Sequence, residues 1–144
     1  MRNAQHLLEG KVEDGAIFVI GPDDSVLDAI RRMAEKHVGA LLVMEGDTLV
    51  GIVSERDYAR KVILRDRSSR DTPVRDIMSS PVITVPASAS LDACMRLVTE
   101  RRVRHLPVVD GDRVVGVLSI GDLVKAVINE QAREIQQLQG YIAG

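Results

Sequence analysis

Two short stretches of this 144-residue chain contain a serine that is followed three residues later by an aspartate. Residues 51–57 read GIVSERD and residues 116–122 read GVLSIGD. In both, a glycine and two apolar residues predict a strand, and the serine is the residue at which a helix would begin. The aspartate can then complete a capping box, in which the serine accepts from helix N–H groups and the acid reaches back to the backbone.

The same residue types could also bind a nucleoside phosphate. A helix N-terminus offers N–H donors and a positive dipole end to a phosphate. A neighbouring carboxylate can accept from the two adjacent hydroxyls of a ribose, and apolar strand edges leave a slot for a flat base. Such a cleft needs no catalytic group. Spacing alone favours the cap over the cleft, since Ser25 and Asp28 show the same spacing with no implied function.

The elements that must position these residues occur twice. At an offset of 65 residues, without gaps, Gly51 aligns with Gly116 and Asp57 with Asp122. Each copy predicts the order β-α-β-β-α, with first strands at 17–20 and 82–85 and helices capped by Ser25 and Ser90. The glycine-containing acidic turns at 45–47 and 110–112 predict hairpins between the two later strands.

We therefore expect an α/β (α+β) fold made of two tandem repeats packed sheet to sheet with pseudo-twofold symmetry. One repeat of about 45 residues should struggle to bury a sufficient core alone. The predicted division is an N-terminal segment, a first repeat, a linker, a second repeat and a C-terminal helix extension, at 1–16, 17–64, 65–80, 81–130 and 131–144.

The linker and the last helix leave alternatives open. Residues 65–80 mix arginines with aspartates, which favours a solvated linker, although the arginines could contact phosphate.

The last helix should run to about Gln139 with an apolar stripe along one face. The stripe is longer than packing within one repeat requires. It therefore either folds back onto its own chain or, as we favour, contacts another subunit. Its members are Val124, Val127, Ile128, Ala132, Ile135 and Leu138.

Composition excludes several classes of function. A net charge of −2 and 2% aromatic residues argue against a nucleic-acid binder. One cysteine and three scattered histidines predict neither a disulfide nor a metal motif, and no catalytic signature is present. The apolar runs are too short for a membrane helix and residues 1–9 lack a signal-peptide core, so we expect a cytoplasmic protein.

Both copies resemble cystathionine-β-synthase (CBS) domains, and the pair resembles a Bateman module. The resemblance covers residues 17–128 and is carried by Gly-h-h-Ser-x-x-Asp in each copy (h, apolar), by VRHLPVV at 103–109 and by VRDIM at 74–78. It is closest in kind to small stand-alone bacterial and organellar CBS pairs. It implies a non-enzymatic regulatory sensor whose ligand is AMP, ADP, ATP, NAD or S-adenosylmethionine. It also implies a homodimer in which four repeats form a disc, and a separate protein that the sensor regulates.

The resemblance also implies which residues bind the ligand. Asp57 and Asp122 would hold the ribose, Ser54 and Ser119 would lie near phosphate, and the first strand of each copy would approach the base. The predicted nucleotide-binding residues are Val19, Ile20, Ala40, Ser54, Arg56, Asp57, Thr84, Val85, Arg104, His105, Pro107, Ser119, Ile120 and Asp122.

The two sites should not be equal. Only the second copy has Arg104 and His105 at the start of its second strand, whereas Arg56 of the first copy aligns with a glycine. A guanidinium suits phosphate oxygens. Arg104 and His105 could serve the ligand held by Asp57; alternatively His105 is a hydrogen-bonded residue at the sheet border, and Arg56 pairs with an acid.

Cys94 aligns with an alanine on an apolar helix face, so we expect a small core residue and not a redox sensor. The rival function is a non-catalytic dimeric interaction or scaffold protein with vestigial clefts, in which the serine and aspartate pairs are only caps.

Overall fold

A computed structural model describes residues 2–10 and 17–143 of the chain. It divides into two compact units: Ala16–Ile83, the first-repeat unit, and Met1–Gly15 with Thr84–Gly144, the second-repeat unit. The predicted α/β class and the repeated β-α-β-β-α order are confirmed. Among the described residues, no helix is both long enough and apolar enough to cross a membrane.

Helix α1 lies before the first repeat, over Ala4–Glu9, and Asn3 caps it by accepting from the His6 N–H. The first-repeat unit then contains β1 (Val19–Ile20), α2 (Val26–Lys36), β2 (Ala40–Glu45), β3 (Thr48–Ser54) and α3 (Glu55–Lys61). Single turns of 3-10 helix follow at Ile63–Arg65 and Val74–Asp76.

The second-repeat unit repeats this order with a longer last helix. Its elements are β4 (Val85–Pro86), α4 (Leu91–Arg101), β5 (His105–Asp110), β6 (Arg113–Ser119) and α5 (Ile120–Ala143). Helix α5 ends four residues beyond the predicted Gln139. The first strands are shorter than the predicted runs because each forms only two residue pairs with its neighbour.

Each unit has a three-stranded sheet in which the first strand is parallel to the second and the third is antiparallel to it. The hairpin predictions are confirmed: Gly46 and Gly111 both have φ of +61°, a conformation that glycine adopts without steric cost. The hairpins carry Ser54 and Ser119 to the end of the last strand, where a helix follows directly.

The apolar faces of α2 and α4 lie in the cores of their units. In the first-repeat unit, Val26, Ala29 and Met33 of α2 are buried and pack with the sheet. At the aligned positions of α4, Leu91, Cys94 and Val98 are buried in the second-repeat unit. The cap predictions are confirmed as well, because the Ser25 Oγ accepts from the Asp28 N–H at 3.1 Å and the Ser90 Oγ from the Ala93 N–H at 3.0 Å.

Residues 72–78, which we call the linker strap, belong to the body of the first-repeat unit. Thr72, Val74 and Ile77 are all buried. The interpretation of 65–80 as a solvated linker is therefore wrong for this part, since an apolar pair and a proline mark a packed segment within the charged run. Two of the arginines pair with acids, Arg67 with Asp76 at 2.8 Å and Arg75 with Asp23.

Residues 2–8, the N-terminal strap, occupy the equivalent place in the second-repeat unit. Three backbone hydrogen bonds between strap and repeat occur in both units, where aligned residues differ by 65 in the repeat and by 70 in the strap. In the first-repeat unit they run from the Val26 N–H to the Thr72 carbonyl, from Val74 to Asp24 and from Arg75 to Pro22. In the second-repeat unit they run, in the same order, from the Leu91 N–H to the Arg2 carbonyl, from Ala4 to Ala89 and from Gln5 to Ala87.

The repeated glycine of the sequence motif faces the strap in each unit. A Cβ added to Gly51 would lie 2.5 Å from the Met78 sulfur, and one added to Gly116 would lie 2.6 Å from the Leu8 Cδ2. Real Cβ atoms do not approach other atoms this closely. The glycine is therefore required because the strap side chain packs directly on the strand backbone, which the sequence motif alone did not reveal.

We expect Gly116→Ala to lower the free energy of unfolding by about 1–3 kcal/mol, because Leu8 must move out of its place. Measured by urea unfolding, the effect should shrink in a Leu8→Ala background, since the added methyl group then has space. Gly140→Ala is the control: its added Cβ meets nothing within 4 Å. Strictly additive costs for Gly116→Ala and Leu8→Ala would contradict this packing.

Candidate functional site

The strand-to-helix junction of the first repeat is a complete capping box. Asp57 Oδ2 accepts from the Ser54 N–H at 2.9 Å, and the Ser54 Oγ accepts from the Asp57 N–H at 3.3 Å. The Ser54 hydroxyl also lies 3.1 Å from Asp57 Oδ2. Ser54 therefore ends β3 and starts α3 with its own side chain, as the motif spacing allowed.

The second repeat has the same geometry. Asp122 Oδ2 accepts from the Ser119 N–H at 2.8 Å, and the Ser119 Oγ accepts from the Asp122 N–H at 3.1 Å. Between the two functions that the sequence left open, the structure shows the cap at both junctions. The cap uses only part of the accepting capacity of each carboxylate, because an ionised carboxylate offers about four lone-pair sites over its two oxygens.

A lysine that the sequence analysis did not single out binds the first of these carboxylates. Lys61 Nζ lies 3.1 Å from Asp57 Oδ1, whose side chain is 15% exposed, and donates to the Ile77 carbonyl at 2.8 Å. The signal was available as an aspartate–lysine pair four residues apart on one helix face. Lys61 aligns with Ala126, so the second repeat has no lysine at this position.

The first strands place their predicted base-contacting residues differently in the two units. Val19 is exposed and Ile20 is buried, and the Val19 carbonyl accepts from Arg32 Nη1 at 2.5 Å. In the second repeat, Thr84 is half-buried and Val85 is buried. Arg32 was missed by sequence reasoning, because a guanidinium that reaches a backbone carbonyl thirteen residues away leaves no local pattern.

The strand register brings the other predicted residues to the junctions. Ala40 pairs with Ser54 in the first sheet, and His105 pairs with Ser119 in the second. The Arg104 carbonyl accepts from the Ile120 N–H at 2.9 Å, which ties β5 to the start of α5. Arg104, His105, Ser119 and Ile120 thus form one cluster with Asp122, which is half-buried.

The remaining predicted residues lie near the same junctions. Pro107 pairs with Val117 within the second sheet, two residues before Ser119. Arg56 lies in the first turn of α3 with an exposed side chain. That Arg104 and His105 serve the ligand held by Asp57 stays a prediction.

Cys94 is a core residue, as expected. Its side chain is fully buried, and burial raises the pKa of the thiol above its ordinary value. At neutral pH the protonated form is therefore favoured, which suits a structural role and not redox chemistry. Among residues 2–10 and 17–143, no three histidine, cysteine or acidic side chains are grouped so as to hold a metal ion.

We expect Ser119→Ala to lower the free energy of unfolding by about 1 kcal/mol, because the Asp122 N–H loses its cap. Asp122→Asn should cost less, since an amide oxygen can still accept from the Ser119 N–H. Urea unfolding measures both, with Asp112→Asn at an exposed turn position as the control. An unfolding midpoint of Ser119→Ala equal to that of the wild type would contradict the cap.

The chain is similar in sequence to known proteins. The family model described as the CBS domain matches residues 13–64 and again 74–129. The CBS domain-containing protein CBSX3, mitochondrial, of Arabidopsis thaliana is 43% identical over 141 residues, which cover 94% of this chain and 68% of that protein.

Solved structures agree with the fold. A protein with CBS domains from Burkholderia ambifaria is 52% identical with a TM-score of 0.86, covering 90% of this chain and 96% of that one. A hexameric CBS-CP12 protein from bloom-forming cyanobacteria is 28% identical with a TM-score of 0.75, over 86% of this chain and 70% of that one. The two family matches and these likenesses show that this chain belongs to the CBS domain family and carries a pair of its domains.

Proposed function

We propose that this CBS pair is a regulatory module that binds an adenosine-containing ligand, namely AMP, ADP, ATP, NAD or S-adenosylmethionine. The single observation that carries the proposal is the duplicated aspartate at the strand-to-helix junction. Asp57 and Asp122 each hold one oxygen on their own cap, at 2.9 Å and 2.8 Å. The cap fixes the carboxylate beside the sheet edge, where the remaining lone pairs could accept from ribose hydroxyls.

Nitrogen donors beside the second junction suit the phosphate of such a ligand. Arg104 and His105 lie next to Ser119, at the start of β5 and the end of β6, where α5 begins. A guanidinium presents several N–H donors in a fixed fork, which matches phosphate oxygens better than a single ammonium does. The exposed guanidinium of Arg56 is the corresponding group at the first junction.

The proposed role is binding without turnover. At the first junction, the serine hydroxyl and the carboxylate that could act as nucleophile and base are both engaged in the helix cap. Signalling would then require a ligand with different affinities for two conformations, since only a differential affinity can shift an equilibrium. The Burkholderia ambifaria relative is named as a candidate signal-transduction protein, which supports a regulatory role. We propose that this chain acts on a separate, unidentified protein.

A non-catalytic interaction or scaffold protein with vestigial clefts is the second candidate. The cap geometry at both junctions favours it, because the helix starts alone account for each serine and aspartate. The two candidates make opposite predictions for nucleotide binding. Neither requires nucleic acid or a membrane as a partner.

The cytoplasmic location remains a prediction, and the Arabidopsis relative is a mitochondrial protein.

Self-association through α5 belongs to the proposal. Ile128, Ile135 and Leu138 are exposed by 58%, 54% and 63% in the single chain. With Val124 and Gln131 they recur in steps of four and three residues, the spacing of a two-helix coiled-coil seam. A second copy supplies the matching stripe, and we propose that it makes the chain a homodimer. The cyanobacterial relative, which is hexameric, shows that proteins of this family associate.

A thermal-shift titration tests nucleotide binding. A ligand at about a hundred times its dissociation constant should add about 2.7 kcal/mol to the free energy of unfolding. We expect at least one of AMP, ATP, NAD and S-adenosylmethionine to raise the melting temperature of the wild type. The double variant Asp57→Asn/Asp122→Asn should lose the shift.

The control is Asp47→Asn/Asp112→Asn, two exposed turn aspartates that also align at the offset of 65 residues. It removes the same charge and should keep the shift. A flat response of the wild type to all four compounds would favour the scaffold function. A shift that survives in Asp57→Asn/Asp122→Asn would show that the site lies elsewhere.

Light scattering after size exclusion tests the homodimer. Ile135→Glu/Leu138→Glu places two charges in the proposed seam and should reduce the mass from two chains to one. Gln136→Glu/Gln137→Glu adds the same charge to exposed positions on the outer faces of α5 and should leave the dimer intact. A monomeric wild type, or a dimer that persists in Ile135→Glu/Leu138→Glu, contradicts the seam.

A further inference from the structure

The linker strap contacts the motif of the first repeat at its C-terminal end. The Met78 sulfur packs on the backbone of Gly51, since a Cβ added there would lie 2.5 Å from it. Ser79, directly after the strap, exchanges two backbone hydrogen bonds with Ile52, at 3.1 Å and 2.9 Å. Ile77, directly before Met78, is buried in the core of the unit. Consecutive residues thus join this end of the strap to the core and to β3.

Lys61 of α3 joins the same segment to the motif carboxylate. Its Nζ donates to the Ile77 carbonyl at 2.8 Å and lies 3.1 Å from Asp57 Oδ1. An ammonium has three N–H donors, so one lysine can bind the strap backbone and the carboxylate at the same time. The Asp57 side chain is only 15% exposed, so salt and water screen this ion pair less than they would a fully exposed one.

The Asp57 carboxylate is therefore held at both oxygens. Oδ2 accepts from the Ser54 N–H at 2.9 Å as part of the cap, whereas Oδ1 faces Lys61. The cap depends only on residues that are close in the chain, but the contact at Oδ1 also depends on the strap. A lysine side chain is long and flexible, and the Ile77 carbonyl is what holds this one beside the carboxylate. The orientation of Asp57 and the docking of the strap are thus linked through one side chain.

We propose that Lys61 is a positioning residue that couples a nucleotide at Asp57 to the linker strap. The docked strap orients the carboxylate for the ribose, and the bound nucleotide in turn stabilises the docked strap, because coupling between two equilibria is reciprocal. This inference rests on the proposed nucleotide-binding function and goes beyond it by naming the element that responds to the ligand. Ala126 stands at the position of Lys61 in the second repeat and cannot make this link.

Hydrogen–deuterium exchange of the full chain, measured by mass spectrometry, tests the coupling with AMP as the probe. The Asp122→Asn background leaves Asp57 as the only junction that keeps its aspartate. Saturating AMP should slow exchange at residues 77–79 by about fivefold, the lower end of typical coupling between sites.

Lys61→Met in the same background keeps the length of the side chain and removes the ammonium. It should abolish the slowing even when AMP saturates the variant. Isothermal titration calorimetry should show AMP binding weakened by about fivefold, because the coupling acts in both directions.

Matched variants separate the coupling from charge and packing. Arg60→Met removes the same charge from the neighbouring exposed position of α3 and should keep both the slowing and the affinity for AMP. Met78→Ala loosens the strap at its contact with Gly51 and should weaken AMP binding, whereas Met78→Leu, which copies Leu8 of the N-terminal strap, should not. In Lys61→Met, the added Met78→Ala change should weaken AMP binding no further, because the link is already cut.

Three results would each overturn the coupling. They are exchange at residues 77–79 that does not respond to AMP in the Asp122→Asn chain, slowing that survives in Lys61→Met, and unchanged AMP affinity in Lys61→Met. A lysine with a structural role alone gives the second result, since its loss speeds exchange of the strap without removing the response to AMP.

Failure of this inference can be told apart from failure of the proposed function. If the wild type binds AMP but Asp122→Asn does not, the coupling is overturned and the nucleotide-binding function stands at the second junction. A wild type that shows no heat with AMP overturns the coupling as well. If AMP, ATP, NAD and S-adenosylmethionine also leave its melting temperature unchanged, the proposed function fails with it.

Discussion

The hydrogen bond from a serine N–H to an aspartate three residues later is the constraint on which both repeats depend. It occurs at 2.9 Å between Ser54 and Asp57 and at 2.8 Å between Ser119 and Asp122. It satisfies a backbone donor that the helix cannot satisfy itself, and so it allows a strand to become a helix without an intervening loop. The same bond fixes a carboxylate beside a sheet edge, so the structural and proposed functional roles share one side chain.

Each unit reaches a sufficient core by adding a segment from outside its repeat. Residues 72–78 complete the first-repeat unit, and residues 2–8 complete the second with the same backbone hydrogen bonds. The motif glycines, Gly51 and Gly116, leave the space in which these straps pack. The duplication therefore preserves backbone geometry, while side chains such as Arg32 and Lys61 distinguish the first repeat from the second.

Much of this fold could be predicted from the sequence, because it depends on local patterns. The 65-residue offset, the hairpin glycines and the serine caps all act between residues that are close in the chain. The straps and the contact of Arg32 with the Val19 carbonyl could not be predicted, since both join residues through tertiary packing. Nor could spacing decide how Asp57 is oriented, because a cap and a ribose contact require the same residue at the same position.

The central claim is that the capping carboxylates also hold the sugar of a nucleotide. Heteronuclear NMR of the backbone amides during an AMP titration tests it most directly, because the amides of Ser119 and Asp122 report on the carboxylate itself. The account predicts saturable shifts of these two resonances together with that of Thr84. Saturable binding that leaves all three resonances unmoved, or no shift anywhere at millimolar AMP, would contradict it.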